Sequence, residues 1–143
     1  MPKSTTFSND LAALIFNATA IANMADNAAG SPLTNLYLSL HTASPGIGGA
    51  QTTNETSYTN YARIAVARTV GGWTVASGAA QNAALAQFPQ CGASGATLTH
   101  VAVGTAASGA GKVLYAGALN ASLAVSNLIQ PQFSAGALTV TES

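Results

Sequence analysis

Leu36-Tyr37-Leu38-Ser39-Leu40-His41-Thr42-Ala43-Ser44-Pro45-Gly46 is the stretch on which the fold reading turns. Leu36, Leu38 and Leu40 alternate with Tyr37, Ser39 and His41, the period of two that marks a half-buried strand, and Ser44-Pro45-Gly46 supplies its turn. Upstream the period is different. Leu11, Leu14, Ile15, Ala18, Ala22 and Ala25 follow helical spacing, which predicts a helix from Phe7 to about Ala25 with Ser8 as N-cap and Asp10 in the first turn. Gly30-Ser31-Pro32 stops that pattern. The chain therefore divides into an N-terminal arm with a helix, residues 1–32, and a β domain, residues 33–143.

Downstream of the turn, a polar stretch from Gly46 to Asn60 is long enough to be a functional loop or an excursion onto a neighbour. Tyr61 to Thr69 then alternates again, and Arg63 and Arg68 fall on opposite faces of that strand. Gly71-Gly72 turns the chain into Trp73–Ala76. Further short strands are expected at Ala79 to Phe88, Thr97 to Thr105, Lys112 to Leu119, Leu123 to Val125, Gln130 to Phe133 and Leu138 to Thr141. A run of short strands without intervening helices excludes Rossmann and TIM architectures. Spacing is equally compatible with an immunoglobulin-like sandwich, but we favour a mainly β, jelly-roll-like antiparallel β-sandwich with a short N-terminal helix.

Charge is scarce: four Lys+Arg and four Asp+Glu in 143 residues, or 6%, beside 48% hydrophobic residues. An ordinary soluble domain carries roughly 25% charged residues. Lys3, Arg63, Arg68 and Lys112 are scattered, so there is no basic footprint for direct nucleic-acid binding or for an anionic membrane surface. No apolar run approaches the ~18 residues of a membrane span, the N-terminus lacks a signal-peptide pattern, and Cys91 is alone. Synthesis and folding in a reducing cytoplasm follow as expectations.

Catalytic readings are weak. His41 and His100 have no close cluster of further donors, so no metal is expected and structural roles are favoured. Cys91 would need His100 beside it to act as a nucleophile, and a buried free thiol is the commoner case. The acids Asp10, Asp26, Glu55 and Glu142 are too dispersed to suggest a glycosidase pair. Gly104 to Lys112 resembles a phosphate loop but has Ala106 where the motif needs glycine and Val113 where it needs Ser or Thr; a hairpin loop is favoured. No catalytic residue and no cofactor are expected. Glu55, the one interior acid of the β domain, is expected to fix the long loop by an ion pair or by hydrogen bonds, with Arg63 and Arg68 as candidate partners.

Taken in order, Leu36 to Gly46, Asn54-Glu55, Tyr61-Ala62-Arg63, Phe88-Pro89, Thr99-His100-Val101, Leu114 to Leu119 and Phe133 to Val140 resemble a family of small virion proteins of tailed bacteriophages. Members carry a tail-fibre-like label, and the pattern is similar to that of the jelly-roll capsid cement protein of Bordetella phage. The resemblance implies a non-enzymatic cement or decoration protein on the capsid exterior. Its implied partners are the major capsid protein and further copies of itself, as a dimer or trimer. Candidate assembly contacts are Phe7, Leu11, Leu14, Ile15, Glu55, Tyr58 and Arg63. The alternative is a tail-associated receptor-binding module, for which Tyr37, Tyr58, Tyr61, Trp73 and Tyr115 are the candidate sugar-platform aromatics.

Overall fold

The structure, a computed structural model, describes residues 3–21, 24–25 and 30–141. It is mainly β, with one short N-terminal helix. The elements are α1 (Thr5–Asn17), β1 (Asn35–His41), β2 (Ile64–Ala67), β3 (Trp73–Ala76), β4 (Ala79–Asn82), β5 (Ala86–Gln87), β6 (Ala96–Gly104), β7 (Val113–Val125), β8 (Gln132–Phe133) and β9 (Thr139–Thr141). They form a four-stranded sheet β2-β1-β6-β7, a three-stranded sheet β3-β4-β9 and the pair β5-β8. The pairs β1/β6, β6/β7, β3/β4 and β4/β9 are all antiparallel. By internal contacts the chain forms two compact units, residues 1–35, 66–86 and 133–143, and residues 36–65 and 87–132.

In the first unit α1 packs on β3 and β4. Phe16 meets Trp73 with ring centroids 4.6 Å apart, and both are fully buried beside Ala12, Ala80 and Leu138. The helix differs from expectation at both ends. Ser4 is the N-cap, its hydroxyl accepting from the Phe7 N–H, so Ser8 lies within the helix and is buried, and Asp10 falls beyond the first turn. At the other end Ala18 adopts a left-handed conformation (φ 53°), and the Ala18 and Thr19 N–H groups both turn back to the Ala13 carbonyl. A left-handed residue at the C-terminal end is how helices commonly stop. The apolar spacing beyond Asn17 is therefore not helical: Ile21 and Ala25 instead bridge one another across a tight turn. Ala22 lies outside the described residues.

Arg68 explains why the helix can stop there. Its guanidinium donates to the carbonyls of Leu14 (2.8 Å), Ile15 (2.7 Å) and Leu33 (2.7 Å). The last helical carbonyls have no intrahelical partner, and α1 has no basic residue in its own last turn. A cation at this pole also opposes the helix dipole. Asn82 performs a comparable service in the same unit. Its amide donates to Ala84 and Ser134 carbonyls (2.8 Å each) and accepts from the Leu138 N–H (2.9 Å), pinning the chain that leads into β9.

In the second unit β1 does not have the half-exposed face its alternation predicts. Leu38, Ser39, Leu40 and His41 are all buried, because the Gly46 to Asn60 stretch folds back across the strand. Thr42 N–H donates to Asn54, Thr56 N–H to Leu40, and Tyr61 Oη accepts from Leu40 N–H. The other side of β1 pairs with β6, from Tyr37 opposite Gly104 to His41 opposite His100. Leu36, Leu38, Leu40, Leu98, Phe88 and Cys91 make this core. The two strands expected at Lys112 to Leu119 and Leu123 to Val125 are one strand, β7, interrupted where expected: Leu119–Ser122 face only Thr99 across the ladder.

Candidate functional site

The polar centre of the second unit is built on the Gly46 to Asn60 stretch and the residues just before β2. Glu55 and Arg63 form a two-pronged ion pair, Nε to Oε1 at 2.6 Å and Nη2 to Oε2 at 2.7 Å, with side chains 14% and 3% exposed. Glu55 Oε1 also accepts from Tyr61 Oη at 2.9 Å. Arg63 uses two further donors on the carbonyls of Ala106 (2.9 Å) and Gly109 (2.8 Å), so one guanidinium holds both the long stretch and the β6–β7 loop. Bidentate geometry of this kind is what a guanidinium fork is suited to. The hydrogen bonds that Arg63 donates to Glu55 push its pKa further up, and burial raises that of Tyr61.

Beneath the same loop lies Gln51, fully buried. Its Oε1 accepts from the Ala106 N–H, and its backbone N–H donates to Gly111. Gly104 and Gly111 press on the side chain so closely that a Cβ would lie 2.1 Å from Gln51 Cδ and 2.2 Å from Oε1 respectively. The segment resembling a phosphate loop is thus a hairpin loop filled by protein groups. Sequence reasoning missed Gln51; the paired glycines flanking the loop are the trace it leaves.

His41 is buried with both ring nitrogens engaged. Thr53 O can only accept, so Nδ1 carries the proton (3.0 Å) and Nε2 accepts from the Ser39 hydroxyl (2.9 Å). Burial lowers its pKa below 6.5. Cys91 is buried, with Sγ 3.4 Å from the Gly92 and Ser94 carbonyls. Among the described residues no group of three or more His, Cys, Asp or Glu could hold a metal ion, and no helix is long and apolar enough to cross a membrane.

The aromatic candidates are chiefly packing groups. Tyr58 is 2% exposed, donates to the Pro89 carbonyl at 2.9 Å, and is pushed up to about 12 by burial. Tyr61 meets Tyr58 edge-on and stacks on Phe88, while Trp73 is fully buried in the first unit. Tyr37 and Tyr115 are half-buried. Of the candidate assembly contacts, Glu55 and Arg63 are brought together; Phe7, Leu11, Leu14 and Ile15 are half-buried along α1. Several large aliphatic side chains are exposed: Ile47 fully, and Met24, Val70, Leu85 and Leu128 by more than half.

A mainly β chain in which Glu55, Arg63 and Arg68 tie down its own loops and helix end, and whose exposed surface carries large aliphatic groups, has the make-up of a structural subunit. The family model for the podophage GP4 fiber I protein gp80 matches residues 3–141, and the chain belongs to that family, a phage virion protein family. No curated protein matches it.

Proposed function

We propose that this chain is a non-enzymatic subunit of a tailed-phage virion that works as a capsid cement, bound in many copies to the outside of the major capsid protein shell and to itself. The observation that supports the reading is the division of its surface chemistry. Glu55, Arg63 and Arg68 are directed inward, and Ile47, Val70, Leu85 and Leu128 are directed outward. Uncharged apolar contacts, each modest, add up to firm retention when a subunit touches several neighbours at once. In this reading α1, through the half-buried Phe7, Leu11, Leu14 and Ile15, and the Gly46 to Asn60 stretch, through the exposed Ile47, touch the shell.

A second reading, a subunit mounted on a tail fibre, is favoured by the description of the matching family as a fiber protein. Labelled antibody fragments on intact particles separate the two. Labelling over the whole head supports the cement reading, and labelling confined to fibres replaces it with the second. Absence of the protein from purified particles overturns both. Contacts are best tested by Ile47→Asp and Leu11→Asp, because deleting the helix would also remove Ala12 and Phe16 from the first unit's core.

A further inference from the structure

Ile47 stands at the apex of Pro45-Gly46-Ile47-Gly48-Gly49, fully exposed, while Pro45 behind it is buried. Single exposed aliphatic residues are ordinary on protein surfaces. What sets Ile47 apart is its mount. Gly46 and Gly48, on either side, both have positive φ (+74° and +86°) with nothing within 4 Å of where a Cβ would lie, so backbone conformation and not crowding calls for glycine there. Gly49 is the opposite case: a Cβ would run into the Pro45 carbonyl. Both flanks of the turn are tied down. Ser44 Oγ accepts from the Gly46 N–H (3.1 Å), and the Ser44 carbonyl accepts from Asn54 Nδ2 (2.8 Å). On the far side Thr53 Oγ1 accepts from the Ala50 N–H (3.1 Å), and the Gly111 carbonyl accepts from the Gln51 N–H (2.8 Å).

A pre-ordered mount loses little freedom when it is covered, and a β-branched side chain has few rotamers to lose. The surroundings narrow what covers it. From Thr42 to Asn54 the sequence has no charged residue. Lys112 lies opposite Ala50 in an isolated antiparallel bridge, which puts its exposed side chain on the same side as that of Ala50, at the foot of the turn. One isoleucine and one lysine fall short of the apolar face and basic cluster that a lipid surface takes, and an aliphatic knob offers a sugar no hydrogen bond. A convex side chain is buried on all sides only by a concave surface.

We propose that Ile47 is a knob, held in advance by its turn, that enters an apolar socket on the shell protein, and that the rim of the socket carries an acidic group facing Lys112. Complementary charge at a rim sets register and speeds encounter, while the filled socket supplies the retention. The inference rests on the reading that this stretch touches the shell, and it names the kind of surface the stretch fits.

The test is co-sedimentation of the purified full chain with phage shells that lack it. The wild type is expected to bind. Ile47→Ala should weaken binding roughly ten-fold or more, as the loss of one buried isoleucine implies. Ile47→Leu, alike in volume but branched one carbon later, should weaken it several-fold, and so should Lys112→Glu, more at low salt than at high. Both side chains are exposed, so these variants should melt with the wild type, which separates a lost contact from a lost fold. Gly48→Ala leaves the isoleucine but redirects it, and should weaken binding as well. A wild type that does not bind the shells ends the shell reading and the proposal with it. Wild-type affinity in any of these variants, with the wild type bound, overturns the proposal alone. So does binding of the wild type to anionic phospholipid vesicles, or self-association in sedimentation velocity, that Ile47→Ala abolishes, because Ile47 then has a different occupant.

Discussion

Replacing Arg63 by methionine retains the aliphatic stem and removes the guanidinium that joins Glu55 to the carbonyls of Ala106 and Gly109. An exposed ion pair contributes about 0–1 kcal/mol. Side chains only 3% and 14% exposed belong to the other regime, in which removing one partner strands a buried charge at a cost of ~3–5 kcal/mol. Glu55 keeps the Tyr61 hydroxyl as a donor, so the lower end, about 3 kcal/mol, is the expected loss. With a urea slope of ~2 kcal/mol/M, the unfolding midpoint should fall by ~1.5 M. The double variant Glu55→Gln/Arg63→Met removes both charges, and it should be less destabilised than the two singles combined by at least ~1 kcal/mol. A midpoint shift under ~0.5 M for Arg63→Met, or strict additivity in the cycle, would refute the reasoning that this pair is a buried cross-link.

Arg68→Met removes three charged hydrogen bonds from the carbonyls of Leu14, Ile15 and Leu33; a loss of ~2–4 kcal/mol is expected, with part of the helical circular-dichroism signal lost at lower denaturant than the rest. Gly104→Ala drives a Cβ into buried Gln51 and should cost ~2 kcal/mol or more, whereas Gly117→Ala, with nothing within 4 Å, should change stability by less than ~0.5 kcal/mol. Equal effects in urea titrations would contradict the close packing. For His41 the folded pKa is depressed by burial, with Glu55 raising it and Arg63 and His100 lowering it. Its contribution is therefore complete above the unfolded value of 6.5 and is lost as pH falls below it, with a slope of at most ~1.4 kcal/mol per pH unit. Urea midpoints measured from neutral pH downward should decline in the wild type and decline less in His41→Asn.

The sequence made β1 legible because three leucines at period two leave little choice, and every other expected strand also has a counterpart. The tie of Glu55 to Arg63 was legible for a different reason: Glu55 is the one interior acid of the β region, and Arg63 and Arg68 follow it closely in the chain. The helix ends were not. Alanine-rich spacing continues past Asn17, whereas the actual stop depends on Ala18 turning left-handed and on Arg68 arriving from more than fifty residues away. Burial of Ser39 and His41 was hidden for the same reason, since the covering chain is a polar loop with no periodicity of its own. Of the site, Gln51 left only the paired glycines of its loop as a trace, because a polar residue packed against glycine has no periodicity of its own.

Copy number per virion, measured by densitometry of purified particles against the major capsid protein, tests the cement account most directly. The account predicts copies on the order of hundreds, as distributed, multivalent attachment over a shell requires. A handful of copies, or none, would contradict it.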